Sequence, residues 1–233
     1  MKTGVLFIHG FTGGSFEVRP LVNYLSSKTD WRMSIPILPG HDVTLELGKV
    51  SAESWLMEAE LALRKLQKEV DRVIVVGFSM GGLIAMYLAL RYKIDKLVLL
   101  SAAAKYISPR NLLEDMGIML AESVTKKYPP NTFYHLYEYK LMHTPLRAII
   151  EFLRIVKTVE PYYGRITTPV CIVQGKKDGI VPFASAEHLF KKIGSEKKEL
   201  IKSELGKHHI CYSDDCDNWF GEVFEFMKQK EFV

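Results

Sequence analysis

Ser79 stands in Gly77-Phe78-Ser79-Met80-Gly81-Gly82, between the apolar runs Val73-Ile74-Val75-Val76 and Leu83-Ile84-Ala85-Met86-Tyr87-Leu88-Ala89-Leu90. A β-run, G-x-S-x-G and a helical run in that order lift a serine hydroxyl to the rim of a sheet, where it can serve as a nucleophile. Such a turn strains the backbone at the serine. Gly77 and Gly81 leave room for the helix to approach the strand. A strand-to-helix turn without chemistry can share the pattern, so the serine needs partners.

A serine hydroxyl is a poor nucleophile at neutral pH. It needs a base within hydrogen-bond reach, and an acid to orient that base. In folds built on this turn the order along the chain is serine, acid, histidine. His9, His41, His135 and His143 come too early. The run Val170–Gln174 is followed by Gly175-Lys176-Lys177-Asp178-Gly179, so Asp178 leaves a buried strand in a Gly-flanked turn. Asp-Gly is also an ordinary turn pair, but the position on the same rim as Ser79 favours the acid role. The run Glu199–Ser203 is followed by Glu204-Leu205-Gly206-Lys207-His208-His209. His188 lies inside a helical pattern, which leaves His208 and His209. Adjacent loop residues point in different directions, so only one of them meets Ser79, and residue chemistry does not choose.

An attacked carbonyl develops negative charge on its oxygen. Each N–H aimed at that oxygen contributes on the order of 3 kcal/mol. Met80, directly after the serine, supplies one such amide. The loop His9-Gly10-Phe11-Thr12-Gly13-Gly14 supplies the other, from Phe11. That loop lacks the Lys-Ser/Thr and the glycine spacing of a phosphate cradle, which disfavours a nucleotide.

The elements that position these groups alternate. β-runs are predicted over Val5–Ile8, Arg32–Ile37, Arg72–Val76, Lys96–Leu100, Val170–Gln174 and Glu199–Ser203. Helices are predicted over Phe16–Ser26, Ala52–Val70, Met80–Tyr92, Pro182–Ile193 and Asp217–Lys228. Four of the strands are continuous apolar runs, the mark of a parallel sheet covered on both faces. The alternation breaks between Ser101 and Thr168. Helical patterns at Asn111–Lys127 and Leu146–Val159, dense aromatics and Met116, Met119 and Met142 predict an inserted helical cap over residues 105–164. Residues 1–104 and 165–233 then form the core. Most of the cap's aromatics pack on one another, and a few face a pocket.

The 233 residues suit one such domain, and 31 basic against 27 acidic residues give +4, no argument for nucleic acid. Three cysteines without framework spacing predict reduced thiols, with Cys171 in the core. No stretch approaches the roughly 20 apolar residues of a membrane span. With no signal-peptide pattern, the reading is cytoplasmic. No metal-ligand cluster and no cofactor are expected; His208-His209 lacks a third ligand nearby.

On His9-Gly10-Phe11-Thr12-Gly13, Pro39-Gly40-His41, the serine turn, Asp178 and the histidine pair, the chain resembles the α/β-hydrolase superfamily over nearly its whole length. Within it, the H-G-F-T-G loop and short cap look most like bacterial carboxylesterases and monoacylglycerol lipases. The resemblance implies a mostly parallel sheet of about six strands with helices on both faces. It also implies a serine esterase acting on small to medium acyl chains. In that subgroup the catalytic histidine is commonly followed by an apolar residue, with an Asp five positions on. His209-Ile210 and Asp214 fit, which favours His209, although His208 replaces the Gly usual before the base. His41 is expected to be a turn histidine. The same scaffold also carries C–C bond hydrolases and lyases, and a binding module without catalysis is the rival from another class. The partner expected is a small-molecule ester, and a homodimer through the cap is possible.

Overall fold

The computed structural model describes residues 2–42, 44–104 and 144–229. The predicted helix over Asn111–Lys127, and with it Met116, Met119 and Met142, lies outside them.

Six strands form one parallel sheet: β1 Thr3–Ile8, β2 Arg32–Ser34, β3 Arg72–Phe78, β4 Lys96–Leu100, β5 Val170–Gly175 and β6 Lys198–Ser203. Their order is β2-β1-β3-β4-β5-β6. Every residue of β3, β4 and β5 is buried, as their continuous apolar runs require. The edge strand β6 instead mixes buried with exposed positions. Its partner at the other edge is shorter than the predicted Arg32–Ile37. Pro36 has no N–H for the ladder and restricts the residue before it, so pairing stops at Ser34.

Successive strand side chains point to opposite faces. Leu6, Ile8, Val73, Val75, Leu97, Leu99, Val170 and Ile172 join one apolar cluster. Val5, Phe7, Ile74, Val76, Val98, Leu100, Cys171 and Val173 join the other. The first face is covered by α2 Ala52–Gln67, α3 Met80–Arg91, α4 Leu146–Val159 and α5 Phe183–Lys192. The second is covered by α1 Arg19–Ser26 and α6 Cys216–Lys228. Each aliphatic side chain fully buried this way contributes about 1.5–3 kcal/mol.

Helix α3 is apolar nearly all round, as a helix buried in a core must be. The helix α4 falls in the segment predicted as cap. It buries Ile149, Phe152 and Ile155 in the first cluster. Its Glu151 accepts from the Ala52 N–H at 3.0 Å, at the start of α2. A carboxylate is favoured there by the helix dipole. Arg154 bridges Glu151 and Glu53.

The close approach of α3 to β3 is glycine-dependent. A Cβ on Gly77 would lie 2.2 Å from the Gly81 carbonyl oxygen, and one on Gly81 would lie 2.1 Å from that of Ile8. Both obstacles are backbone. Gly77→Ala is therefore expected to destabilise the fold by about 3 kcal/mol or more, read as the shift in urea midpoint at unchanged slope.

Candidate active site

The sheet delivers its parts to one rim. Ser79 follows β3 at once, with φ 52° and ψ −115°. A non-glycine residue held there costs on the order of 1–3 kcal/mol. The Ser79 N–H donates to the Leu100 carbonyl at 2.9 Å, and its own carbonyl accepts from Gly82 N–H at 3.0 Å. The hydroxyl therefore sits at the positive end of α3.

Asp178 follows β5 after a two-residue turn, Lys176-Lys177. The Gly175 and Gly206 backbones are in close contact, since a Cβ on Gly175 would lie 2.2 Å from Gly206 O. Lys177 N–H donates to Gly206 O at 2.9 Å, and Lys176 N–H to Ser203 O at 2.9 Å. The loops carrying Asp178 and the histidine pair are thus stitched to each other.

His208 completes the line. Its Nε2 is 3.1 Å from Ser79 Oγ and its Nδ1 is 3.0 Å from Asp178 Oδ2. A carboxylate accepts only, so Nδ1–H donates to Asp178. In the neutral ring this leaves Nε2 free to take the serine proton. The expectation for His209 is corrected here. The chain turns between the two residues, and His209 Nε2 lies 3.4 Å from Glu17 Oε1 instead. Phe78 sits against both rings, at 5.1 Å from His208 and 5.6 Å from His209. The last helix, predicted over Asp217–Lys228, opens one residue earlier at Cys216. Asp215, not Asp214, ties the exit of β6, accepting from Ser203 Oγ at 2.6 Å and Leu205 N–H at 3.2 Å.

The Asp178 carboxylate is fully engaged. Oδ1 accepts from the Ile180 and Val181 N–H groups, each at 2.9 Å, and Oδ2 accepts from Gln174 Nε2 at 2.9 Å as well as from His208. Burial alone would raise its pKa. The charge and hydrogen bond of His208, with the two amides, override this and hold it below the ordinary 3.8. Nothing in the sequence singles out Gln174 or Glu17. The first ends an apolar strand and the second reads as an ordinary acid at the start of a helix.

Phe11 and Met80 are the residues expected to supply the oxyanion donors. The Phe11 N–H donates to no backbone carbonyl among the described residues. Met80 opens α3, where first-turn N–H groups have no intrahelical acceptor. The Phe11 ring stacks on Phe152 of α4 at 5.4 Å and meets Trp55 edge-on at 5.9 Å, an apolar wall beside its amide. His9 is structural: Nε2 accepts from Leu38 N–H at 3.0 Å, so Nδ1–H donates to Gly10 O at 2.9 Å. His41 is held in its turn by Nδ1–H to Pro39 O at 3.0 Å.

Among the described residues no three His, Cys, Asp or Glu side chains are grouped to hold a metal, and no helix is long and apolar enough to cross a membrane. The three cysteines are free thiols, Cys171 and Cys211 buried.

Glu17 is 3 % exposed. Burial would raise its pKa, but the hydrogen bond and charge of His209 and the Gly10 amide hold it below the ordinary 4.5. A depressed carboxylate contributes stability that is present above its unfolded value and lost as pH falls through the folded one. Stability should therefore decline on acidification below pH 4.5. In urea titrations from pH 7 downward, Glu17→Gln should show a shallower decline.

Comparisons with known proteins agree with this fold. Residues 50–215 match the model of the family described as serine aminopeptidase, S33. A thermostable monoacylglycerol lipase of Bacillus sp. (strain H-257) is 27% identical over 224 residues, covering 91% of this chain and 84% of that protein. A carboxylesterase of Bacillus subtilis (strain 168) is 24% identical, covering 97% and 92%. A solved structure from work on LipS and LipT, two metagenome-derived lipolytic enzymes, superposes with a TM-score of 0.81 at 23% identity, covering 98% and 94%. The chain belongs to the serine aminopeptidase S33 family. It is an α/β-hydrolase resembling carboxylesterases and monoacylglycerol lipases.

Proposed function

We propose that the protein hydrolyses carboxylic esters of small to medium, largely apolar acyl chains through an acyl-enzyme on Ser79. The observation that carries this is the continuous line from Asp178 Oδ2 through the His208 ring to Ser79 Oγ. Ser79 Oγ attacks the ester carbonyl while His208 Nε2 takes its proton. Asp178 holds the ring in the required tautomer and stabilises the imidazolium. The Phe11 and Met80 N–H groups receive the oxyanion. The imidazolium then protonates the departing alcohol as the C–O bond breaks. In the second half His208 takes a proton from water, the hydroxide attacks the acyl carbon, and the acid leaves as Ser79 regains its proton. The Phe11–Phe152–Trp55 wall supports an apolar acyl side.

The test is hydrolysis of p-nitrophenyl esters from acetyl to palmitoyl, with an aminoacyl p-nitroanilide alongside. Ester turnover that peaks at short or medium chains and exceeds anilide turnover supports the proposal. Anilide turnover alone, or turnover of neither, contradicts it.

A further inference from the structure

His209 has its own partner, and that partner reaches the oxyanion loop. Glu17 Oε1 lies 3.4 Å from His209 Nε2, and Oε2 accepts from Gly10 N–H at 2.8 Å. A Cβ on Gly13 would fall 1.9 Å from Oε2, so the carboxylate fills the space against this turn. The turn is closed by Gly13 N–H to Gly10 O at 3.2 Å, and Phe11 is the first residue it carries between those two. A carboxylate buried here without a partner would be strongly disfavoured. Its charge would also oppose the negative charge that forms at the Phe11 amide. His209 opposite it gives the carboxylate a ring nitrogen to face, at 3.4 Å.

The geometry points to Glu17 and His209 as a positioning pair for the ester hydrolysis proposed above, on which this inference rests. Glu17 grips the turn that presents the Phe11 amide. His209 is one peptide bond from His208. The pair therefore keeps the oxyanion donor and the base in register, without touching the substrate.

Two readouts on the full-length protein test this. One is kcat and KM separately on a p-nitrophenyl ester. The other is hydrogen exchange by mass spectrometry over residues 10–14, with residues 72–78 of β3 as the internal control. His209→Ala is expected to lower kcat by about 10–100-fold with KM within about twofold, the signature of misplacement rather than lost binding. Exchange over 10–14 should rise about tenfold while β3 is unchanged. His209→Gln, whose amide can still donate to Glu17, should recover kcat to within about threefold of wild type. Wild-type kcat in His209→Ala with unchanged exchange at 10–14 overturns the pair. So does a rise in exchange that extends equally through β3, since that reports general destabilisation. If wild type cleaves no ester, the proposed function fails by itself, and the exchange over 10–14 still decides for or against the pair.

Discussion

Alanine at Ser79 or at His208 is expected to lower kcat for ester hydrolysis by about 10⁶-fold, and the double variant should be little worse than either single one. The two groups act as one unit. Without Nε2 at 3.1 Å from Oγ the hydroxyl keeps its proton, and without the hydroxyl the base has nothing to deprotonate. What survives is the contribution of the Phe11 and Met80 amides and of binding. That residue is worth on the order of 10³–10⁴-fold over water. The neighbouring substitution is the informative control. His209→Ala removes an imidazole one residue away and is expected to cost only about 10–100-fold. Two adjacent histidines should thus differ by about four to five orders of magnitude. Single-turnover kinetics on matched, folded samples would measure that difference. Equal effects at both positions would contradict the assignment of the base to His208.

Asp178→Asn is expected to lower kcat by about 10⁴-fold while leaving the fold intact. The reason lies in the donors around the carboxylate. Four N–H groups converge on its two oxygens: those of Ile180 and Val181 on Oδ1, and those of His208 and Gln174 on Oδ2. An asparagine must put its NH₂ at one of the two positions. At the Oδ2 position a donor faces His208 Nδ1, and the ring is driven to the tautomer whose Nε2 carries the proton. That nitrogen then cannot accept from Ser79. At the Oδ1 position the NH₂ faces two backbone donors and the side chain is expelled from its turn. Either outcome removes the base function, and the first, being isosteric, does so without creating a cavity. The check is kcat and KM at neutral pH beside the urea midpoint. A large fall in kcat with a small shift in midpoint is expected. Activity within about tenfold of wild type would mean that Asp178 only shapes the loop.

Much of this site is legible in the sequence. Ser79 and Asp178 are placed by strand ends, and a continuous apolar run betrays a buried parallel strand wherever it occurs. The glycines flanking Ser79 could be assigned their packing role because the tight turn demands it. The apolar residues around Pro36 suggest a second strand running to Ile37, but the missing N–H of Pro36 ends its pairing at Ser34. The choice between His208 and His209 was not legible for a different reason. It depends on which way each ring turns after Gly206. That is set by Phe78 and Glu17, residues distant in sequence. The pattern of an apolar residue after the histidine pointed to His209, because here the residue after His208 is itself a histidine with a buried acid to meet. Glu17 was invisible for the same reason. Only the folded chain shows its carboxylate seated against Gly13. Gln174 looked like the end of a strand, and its Nε2 bond to Asp178 requires the turn to be in place.

The most direct test of the central claim is intact-mass and peptide-mapping mass spectrometry of the protein after reaction with a fluorophosphonate, with ester hydrolysis followed on the same samples. The expected result is one adduct per chain, on Ser79, with activity lost in proportion to labelling. Undiminished hydrolysis by fully labelled protein, or an adduct on another residue that alone accounts for the loss, would contradict the assignment of Ser79 as the nucleophile.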